Sequence, residues 1–369
     1  MVVSVMTGHA CRAVCDAFGL PEVQRLRQQG QGRIHATFRL AFAQRNPIIL
    51  QAVNTDVFPH IDNIADNIAR ISAYLRRHGR QPHVLEPVAL RQRPEQWLFK
   101  SAAGRVWRCF EFVGDTYTLQ ATDDANVMRA AVAAFGAFVV DLADFDAASL
   151  RVTLPGFHDT PGRAASFERA VRADVAGRRR ACADLIAGLR AYRGLARAIR
   201  RQPRRVVHND TKLNNLLFHR RTHSPWCVVD WDTVMPGWLA HDFGDAVRAL
   251  CSPRGEAAVF DPERVNVSER FSAALDGLLS VARPIMQPAE CEVLALAPLV
   301  MSYELALRFL TDYLQGDCYF AARAPDDNLN CARNQFALLA AMREQYPELA
   351  RRAQRATGVA GLPNNNQLS

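Results

Sequence analysis

The feature that most constrains the fold is a strand-rich segment, 205–232, which lies between regions of helical periodicity. Within it, the apolar runs 216–218 and 226–229 are joined by a polar turn, a pattern typical of a β-hairpin. A polar cluster stands at the outer end of each run. The two clusters contain Asp210, Lys212, Asn215, Asp230 and Asp232. Because a hairpin brings its two ends together, we expect these polar side chains to converge.

The chain changes character near residue 115. Before it, residues 61–75 repeat Ile or Leu at intervals of three and four, which predicts an amphipathic helix that ends at Gly79. Another helix is predicted over 9–28, and short strand-like runs fill most of the remaining N-terminal part. After it, long stretches of helical periodicity dominate, and the chain ends in a polar tail.

These patterns predict an α+β fold with a small antiparallel-sheet lobe at the N-terminus and a large, mainly helical lobe at the C-terminus. A hinge is expected near 112–118. The predicted parts are 1–115, 116–355 and a disordered tail at 356–369.

Composition narrows the range of functions. The formal net charge is +8, but the basic residues are spread along the chain without aromatic interleaving on one face, so we expect no nucleic-acid partner. No apolar run reaches about 18 residues, and the start of the chain lacks a signal-peptide pattern, so we expect no membrane partner. Nine cysteines without a C-x-x-C pair indicate reduced thiols in a cytoplasmic protein and no zinc site. The oligomeric state is left open.

Phosphoryl transfer from a nucleotide explains the polar clusters best. The reaction needs a carboxylate that accepts the proton of the attacking hydroxyl group, oxygen ligands that hold Mg²⁺, and a cation near the phosphates. Protein kinases use H-R-D-x-x-x-x-N and a later metal-binding aspartate. Here Asn215 comes five residues after Asp210, and Asp230 comes fifteen residues after Asn215. The alternative, a polar β-turn with capping side chains, explains each residue separately but not their joint spacing.

Lysine is rare in this chain, which makes its position informative. Only Lys100 and Lys212 occur, so the other 43 of the 45 basic residues are arginines. A lysine inside "HNDTKLNN" therefore indicates a position that needs a compact point charge and not the wide planar fork of arginine.

Longer blocks resemble a known family. The sequences "HNDTKLNNLLF", "VVDWDTVMPGWLAHDFGDAVR" and "LRFLTDYLQGDCYF" are similar to those of the aminoglycoside phosphotransferase/choline kinase superfamily, and within it to the N-acetylhexosamine 1-kinases. Other similar blocks, such as "ILQAVNTDVF" and "NLNCARNQF", extend the resemblance over most of the chain. It implies a bilobal protein-kinase-like fold and an enzyme that uses ATP and Mg²⁺ to phosphorylate a hydroxyl group of a small molecule.

The resemblance also implies a role for each motif residue. Asp210 would be the catalytic base, and Lys212 would contact the γ-phosphate. Asn215 and Asp230 would bind Mg²⁺ together with the nucleotide. Arg308, in "RFLTDYL", would hold the acceptor. The N-terminal lobe would bind the nucleotide through the glycine turn at Gly30 and Gly32, the strand residue Gln51, and the linker at Phe112 and Val113. Arg33 departs from the family pattern and would add positive charge for the phosphates.

Four other polar residues have alternative interpretations. His158 and Asp159 would reach the substrate, or they belong to a loop that caps the helix beginning near residue 164. Asp242 and Asp245 resemble a D-F-G motif superficially, but they precede an apolar-periodic segment. That position predicts capping and framework roles at the start of a helix.

The sequence departs from the kinase pattern at two places. Protein kinases carry a phosphate-binding lysine on a strand where this chain has Gln51. The N-acetylhexosamine 1-kinases also have glutamine at this position. Asn67 is a candidate partner for Gln51. The glycine turn at 32–37 reads G-R-I-H-A-T where the family has G-H-I-N-D-T. The acceptor therefore stays open. We expect the anomeric hydroxyl group of an N-acetylhexosamine or related sugar; the alternatives are an aminoglycoside, an amino alcohol or a nucleotide-binding pseudokinase.

Overall fold

The chain forms two compact units. The computed structural model describes residues 8–29, 34–79, 84–199, 202–256, 258–320, 322 and 324–362. The first unit runs to Thr116 and includes Arg151–Leu154, and the second contains Tyr117–Leu150 and the chain from Pro155 onward. The boundary after Thr116 lies one residue from the predicted one.

Two of the sequence predictions lie outside the described residues. They are the glycine turn with Gly30, Gly32 and Arg33, and the last part of the tail, 363–369. The first residues of the predicted tail, up to Thr357, belong to the last helix.

The first unit is built on an antiparallel sheet, as predicted. Its strands are β1 (Arg25–Gln28), β2 (Ala36–Ala41), β3 (Ile48–Val53), β4 (Pro87–Val88), β5 (Phe99–Lys100) and β6 (Val106–Glu111). The strand order is β1-β2-β3-β6-β4, and β5 also pairs with β6. Helix α1 (Gly8–Phe18) precedes the sheet, and α2 (Ile61–His78) lies between β3 and β4 in the chain.

One helix prediction is confirmed in this unit and one is wrong beyond its first half. The helix at 61–75 is present as α2 and ends at Gly79, which has a φ of 57°. The helix over 9–28 ends at Phe18, because Gly19 takes a left-handed conformation with a φ of 63°. The chain then enters β1.

The two faces of the sheet differ because side chains alternate along a strand. One face is apolar and buried, and it carries Phe38, Leu40, Ile48, Leu50, Trp107 and Cys109. On the other face, Gln51 lies opposite Thr37 of β2 and Arg108 of β6. The sheet register therefore places Gln51 between a hydroxyl group and a guanidinium group.

The second unit is mainly helical, as predicted. Its helices are α3 (Ala125–Asp141), α4 (Thr160–Ala173), α5 (Ala183–Ala191), α6 (Leu239–Leu250), α7 (Val267–Ala282), α8 (Pro288–Glu292), α9 (Ala297–Gln315) and α10 (Asp327–Thr357). The remaining strands are β7 (Thr116–Tyr117), which begins at the last residue of the first unit before Tyr117, and β8 (Arg205–Val207), β9 (Leu216–His219), β10 (Pro225–Val228) and β11 (Met235–Gly237). They form two small sheets, with the orders β10-β9-β7 and β11-β8.

The predicted hairpin is confirmed as β9 and β10, which pair antiparallel. Along the chain, the hairpin follows β8 and precedes β11. The two polar clusters of the sequence therefore lie on the segments that connect the hairpin to these strands. Among the helices that the structure describes, none is both long and apolar enough to cross a membrane.

Helices α3 and α7 approach each other closely at glycine residues. A β-carbon placed on Gly277 of α7 would lie 2.3 Å from the backbone oxygen of Arg129 in α3. One placed on Gly136 of α3 would lie 2.9 Å from a methyl group of Val281. Because the first clash is with backbone, no side-chain rotation relieves it.

Gly277→Ala should therefore destabilise the second unit. Alanine favours a helix by about 1 kcal/mol over glycine, but separating two packed helices costs about 1–3 kcal/mol. We expect a lower midpoint in urea unfolding followed by circular dichroism. Gly114→Ala is the matched control, because nothing lies within 4 Å of its added methyl group. A Gly277→Ala protein as stable as the wild type would contradict the close packing of α3 and α7.

Candidate active site

The loop 208–215 connects β8 to β9 and carries the first polar cluster. Helix α6 holds it through the carboxylate of Asp242. The N–H group of His208 donates to Asp242 Oδ2 at 2.8 Å, and that of Asn209 donates to Oδ1 at 2.6 Å. The Thr211 hydroxyl group donates to the backbone oxygen of Asp242 at 2.6 Å. Burial raises the pKa of Asp242 to about 6, although His208 and the two N–H donors oppose this shift.

Asp245, one turn further along α6, holds the next part of the loop. Its Oδ2 accepts the N–H group of Thr211 at 2.9 Å, and its Oδ1 accepts Nε of Arg248 at 2.8 Å. Arg248 is buried and also pairs with Glu256 at 2.9 Å. Asp242 and Asp245 thus have the framework role that the sequence predicts, but neither caps the start of α6.

Asp210 lies within this loop and has a partner on each carboxylate oxygen. Lys212 Nζ is 2.9 Å from Oδ1, and Asn215 Nδ2 donates to Oδ2 at 3.0 Å. Burial would raise the pKa of Asp210, but the charge of Lys212 and these hydrogen bonds lower it below its usual value. Burial likewise opposes the charge of Lys212, yet Asp210 raises the lysine's pKa. At neutral pH the pair is therefore a carboxylate beside an ammonium group.

The two ends of the hairpin converge, as predicted. The N–H group of Val229 donates to the backbone oxygen of Asn215 at 3.0 Å. The backbone oxygen of Val229 lies 2.9 Å from His208 Nε2, which donates to it. Asp230 follows directly, in a left-handed conformation with a φ of 64°. Asp230 and the loop 208–215 are therefore parts of one hydrogen-bonded frame.

Asn215 and Asp230 carry the kind of oxygen donors that a magnesium ion takes, and binding of the ion by these two residues stays a prediction. Because Asn215 Nδ2 donates to both the backbone oxygen and the carboxylate of Asp210, its amide orientation is determined, and Oδ1 is left for a metal ion. Mg²⁺ is usually held by one or two carboxylates together with substrate phosphates and water. Within the described ranges, no group of three or more His, Cys, Asp or Glu side chains could hold a metal ion by itself.

His158 is buried between α9 and the start of the loop. Its Nδ1 lies 2.8 Å from Glu304 Oε1, and its Nε2 lies 3.0 Å from the backbone oxygen of Asn209. The hydroxyl group of Thr160 donates to the other oxygen of Glu304 at 2.6 Å. Sequence reasoning does not find this role of Glu304, because it is 146 positions from His158 and belongs to no motif around it.

Asp159 caps α4, because its carboxylate accepts the N–H group of Gly162 at 3.1 Å. This agrees with the second interpretation of its sequence position, although the helix begins at Thr160 and not near 164. Direct contact of His158 and Asp159 with an acceptor stays a prediction.

Arg308 lies one turn after Glu304 on α9 and is surrounded by aromatic rings. Its guanidinium carbon is 5.0 Å from the ring centre of Phe157, 5.5 Å from that of Phe320 and 6.0 Å from that of Tyr319. These distances are within the range of cation–π attraction. The rings therefore hold the charged group of Arg308 in place.

A second arginine, Arg163, also contacts Phe157. Arg163 Nη2 donates to the backbone oxygen of Phe157 at 3.3 Å, while its Nε is buried without a hydrogen-bond partner among the described residues. Burial and the positive charge of Arg308 lower the pKa of Arg163. Arg163 and Arg308 thus bring two positive charges together here, within reach of the carboxylates of Asp159 and Glu304.

In the first unit, Gln51 is held on both sides. Its Nε2 donates to Thr37 Oγ1 at 3.1 Å, and its Oε1 accepts Nε of Arg108 at 2.8 Å. Asn67, its predicted partner, donates to the backbone oxygen of Arg151 at 2.8 Å and accepts the N–H group of Arg151 at 3.0 Å. Asn67 thus attaches Arg151–Leu154 to the first unit, which the sequence patterns do not anticipate.

The linker residues have hydrogen-bond partners within the first unit. The N–H group of Phe112 donates to the backbone oxygen of Pro47 at 3.2 Å. The backbone oxygen of Val113 accepts the hydroxyl group of Thr116 at 2.8 Å. Contact of Phe112 and Val113 with a nucleotide base stays a prediction.

The fold and the loop 208–215 define the class of this protein. Residues 26–274 match the model of a phosphotransferase enzyme family, and this range includes the loop, Asp230 and the α6 carboxylates. The chain belongs to the phosphotransferase enzyme family. It is accordingly a phosphotransferase.

Solved structures of kinases have the same fold at low sequence identity. A microcompartment-associated aminopropanol kinase is 18% identical with a TM-score of 0.59, and the match covers 95% of this chain and 99% of that chain. A choline/ethanolamine kinase family protein from Mesorhizobium loti is 16% identical with a TM-score of 0.56, covering 97% and 100%. An amicoumacin kinase in complex with AMP-PNP and Ca²⁺ is 14% identical with a TM-score of 0.59, covering 92% and 93%.

Asp242→Asn should weaken both the fold and the activity. The amide keeps one acceptor, but its NH₂ group would face one of the loop N–H groups, and a buried unpaired donor costs about 1–3 kcal/mol. We expect the free energy of unfolding in urea to fall by about that amount, with a parallel loss of phosphotransferase activity. Asp276→Asn removes an exposed carboxylate on α7 and is the control. Wild-type stability of Asp242→Asn would contradict the framework role.

Proposed function

We propose that the protein is an ATP-dependent kinase that phosphorylates a hydroxyl group of a sugar, with the anomeric hydroxyl group of an N-acetylhexosamine as the leading candidate. The observation that carries the proposal is the geometry of Asp210, whose carboxylate is held by Lys212 and Asn215 in the loop that the kinase-like motif predicts. Membership in the phosphotransferase family supports the reaction class. The resemblance of the longer sequence blocks supports the sugar.

In the proposed reaction, the acceptor oxygen attacks the γ-phosphorus, and the bond between this phosphorus and the bridging oxygen of ADP breaks. ADP leaves with the electron pair of that bond. Asp210 accepts the proton of the attacking hydroxyl group. Lys212 offsets negative charge on the transferred phosphoryl group. Asn215 Oδ1 and Asp230 would hold Mg²⁺, which would supply further charge neutralisation at the phosphates.

The positive charge around Arg308 favours a sugar over an amine acceptor. Kinases of the same fold include proteins named for aminopropanol, choline and spectinomycin. A cationic acceptor needs negative charge in its site, whereas Arg163 and Arg308 both contribute positive charge beside Phe157. Hydroxyl and carbonyl groups of a neutral sugar are good acceptors for such guanidinium groups. The aromatic rings add apolar surface for a sugar ring.

Arg108 is proposed to replace the missing strand lysine at the nucleotide. Gln51 stands at the position of that lysine, and Arg108 donates to it from the neighbouring strand at 2.8 Å. A guanidinium group beside Gln51 supplies a cation to the same face of the sheet. The glycine turn with Arg33 and the linker at Phe112 and Val113 complete the proposed nucleotide contacts.

The alternative function is a nucleotide-binding pseudokinase, which the altered glycine turn motivates. The arrangement of Asp210, Lys212 and Asn215 argues against it, because a protein without catalysis has no need to keep this geometry.

The acceptor test offers Mg-ATP with N-acetylhexosamines, plain hexoses, choline, aminopropanol and aminoglycosides, and measures ADP release. We expect turnover with an N-acetylhexosamine. We expect Asp210→Asn to lower kcat at least about a hundredfold, because general base catalysis is lost, with little change in ATP affinity by calorimetry. Turnover only with acceptors that carry an amine or ammonium group would contradict the proposal that the acceptor is a sugar. ATP binding without turnover on any acceptor would favour the pseudokinase.

Two arginine variants separate the acceptor from the nucleotide. Arg308→Gln should raise the KM of the acceptor about tenfold or more, because a charged hydrogen-bond donor is lost, and leave the KM of ATP nearly unchanged. Arg108→Gln should raise the KM of ATP and leave the KM of the acceptor nearly unchanged. Each variant is the control for the other. If both change the same KM, at least one of the two assignments is wrong.

A further inference from the structure

His158 and Glu304 form a buried pair whose hydrogen bonds determine where the protons lie. The side chains keep only 7% and 1% of their surface exposed. His158 Nε2 faces the backbone oxygen of Asn209 at 3.0 Å, and since a carbonyl group only accepts, Nε2 carries a proton. Nδ1 faces Glu304 Oε1 at 2.8 Å, while Thr160 donates to Oε2. With both ring nitrogens donating, His158 is an imidazolium ion and Glu304 is a carboxylate.

The surrounding charges favour this state. The titratable groups that act on His158 come from α6 and α9, and they are His241, Asp242, Asp245 and Glu304. Burial favours neutral His158, but Glu304 raises its pKa above the usual value. Burial also opposes the charge of Glu304, yet His158 lowers its pKa to about 2. Burial and the charge of His158 lower the pKa of His241 to about 3, so His241 stays neutral.

Two histidines hold the peptide group that precedes Asp210. Its carbonyl oxygen, from Asn209, accepts from His158 Nε2 at 3.0 Å. Its N–H group, from Asp210, donates to His208 Nδ1 at 3.3 Å. Because a peptide group is planar, turning it would change the direction of the Asp210 side chain. Both ends of this plane are therefore fixed by imidazole rings.

We propose that His158 and Glu304 are a positioning pair for phosphoryl transfer: Glu304 keeps His158 doubly protonated, and His158 in turn fixes the Asn209–Asp210 peptide group and the direction of the Asp210 carboxylate. The proposal rests on the proposed role of Asp210 as the base. Neither side chain needs to touch a substrate for this role.

The pair predicts a specific dependence on pH. As the pH rises through the raised pKa of His158, the ring loses one proton. The remaining proton stays on Nδ1, because the bond to a carboxylate is stronger than the bond to a carbonyl group. Nε2 then no longer donates to Asn209. The hydrogen bond is complete below this pKa and lost above it, so kcat should decline on the alkaline side.

Two variants separate the hydrogen bond from the charge. In Glu304→Gln, the amide NH₂ group donates to Nδ1 of a neutral His158, and the amide oxygen accepts from Thr160. Nε2 then keeps its proton and its hydrogen bond to Asn209 at every pH above the pKa of the His158 imidazolium ion. The double variant Glu304→Gln with His158→Phe keeps an aromatic ring, leaves no charge at positions 158 and 304, and removes the donor to Asn209.

We expect kcat of the double variant to be at least about tenfold below that of Glu304→Gln, because a small misplacement of a catalytic group costs this much or more. The KM values of ATP and acceptor should agree within about twofold between the two variants. The alkaline decline of the wild type should be absent in Glu304→Gln. Equal kcat values in the two folded variants, or an unchanged alkaline decline, would overturn the proposal.

A second measurement keeps this test independent of the acceptor. Nitrogen-15 NMR of the wild type should show both ring nitrogens of His158 protonated at neutral pH. Amide exchange of Asn209–Thr211 should be faster in the double variant than in Glu304→Gln. A neutral His158, or equal exchange, would overturn the positioning pair. If the NMR and exchange results hold but no acceptor is phosphorylated, the proposed function fails and the pair stands as the support of the loop.

Discussion

The hydrogen bonds from the N–H groups of His208 and Asn209 to the carboxylate of Asp242 are the interaction on which the rest of the site depends. A loop with successive N–H groups facing inward needs a buried acceptor, and one carboxylate at the start of α6 supplies it. With this end of the loop held, Asp210 meets Lys212 and Asn215 in a defined geometry. Burying the charged carboxylate of Asp242 costs free energy, and the raised pKa of Asp242 reflects this cost.

The sequence predicts those features that depend on neighbouring residues. The hairpin β9–β10 follows from two apolar runs joined by a polar turn, and it is confirmed, as is the meeting of its two ends at Asn215 and Val229. Longer contacts are not predictable in this way: Glu304 reaches His158 across 146 positions, and Asn67 binds Arg151 across 84. The helix over 9–28 is wrong because the conformation of Gly19 outweighs the apolar periodicity after it.

The distribution of positive charge distinguishes this protein from the protein-kinase pattern. Gln51 leaves the usual strand without its lysine, but the sheet register brings Arg108 beside it. A motif search along one strand cannot detect Arg108, because it lies on another strand at a distant sequence position. Antiparallel pairing of β3 and β6 makes Gln51 and Arg108 neighbours, so their side chains can act together although they are far apart in the sequence.

Helix α9 carries Glu304 and Arg308 one turn apart. The residue that binds His158 and the arginine that lies among aromatic rings therefore belong to the same helix. Any change that slides or rotates α9 moves both groups together. Under the proposed role of Arg308, acceptor preference and catalytic geometry are coupled through α9, and a change in this helix alters both. Redesign of the acceptor preference would then begin on the segment around Tyr319 and Phe320, which follows the helix and leaves Glu304 in place.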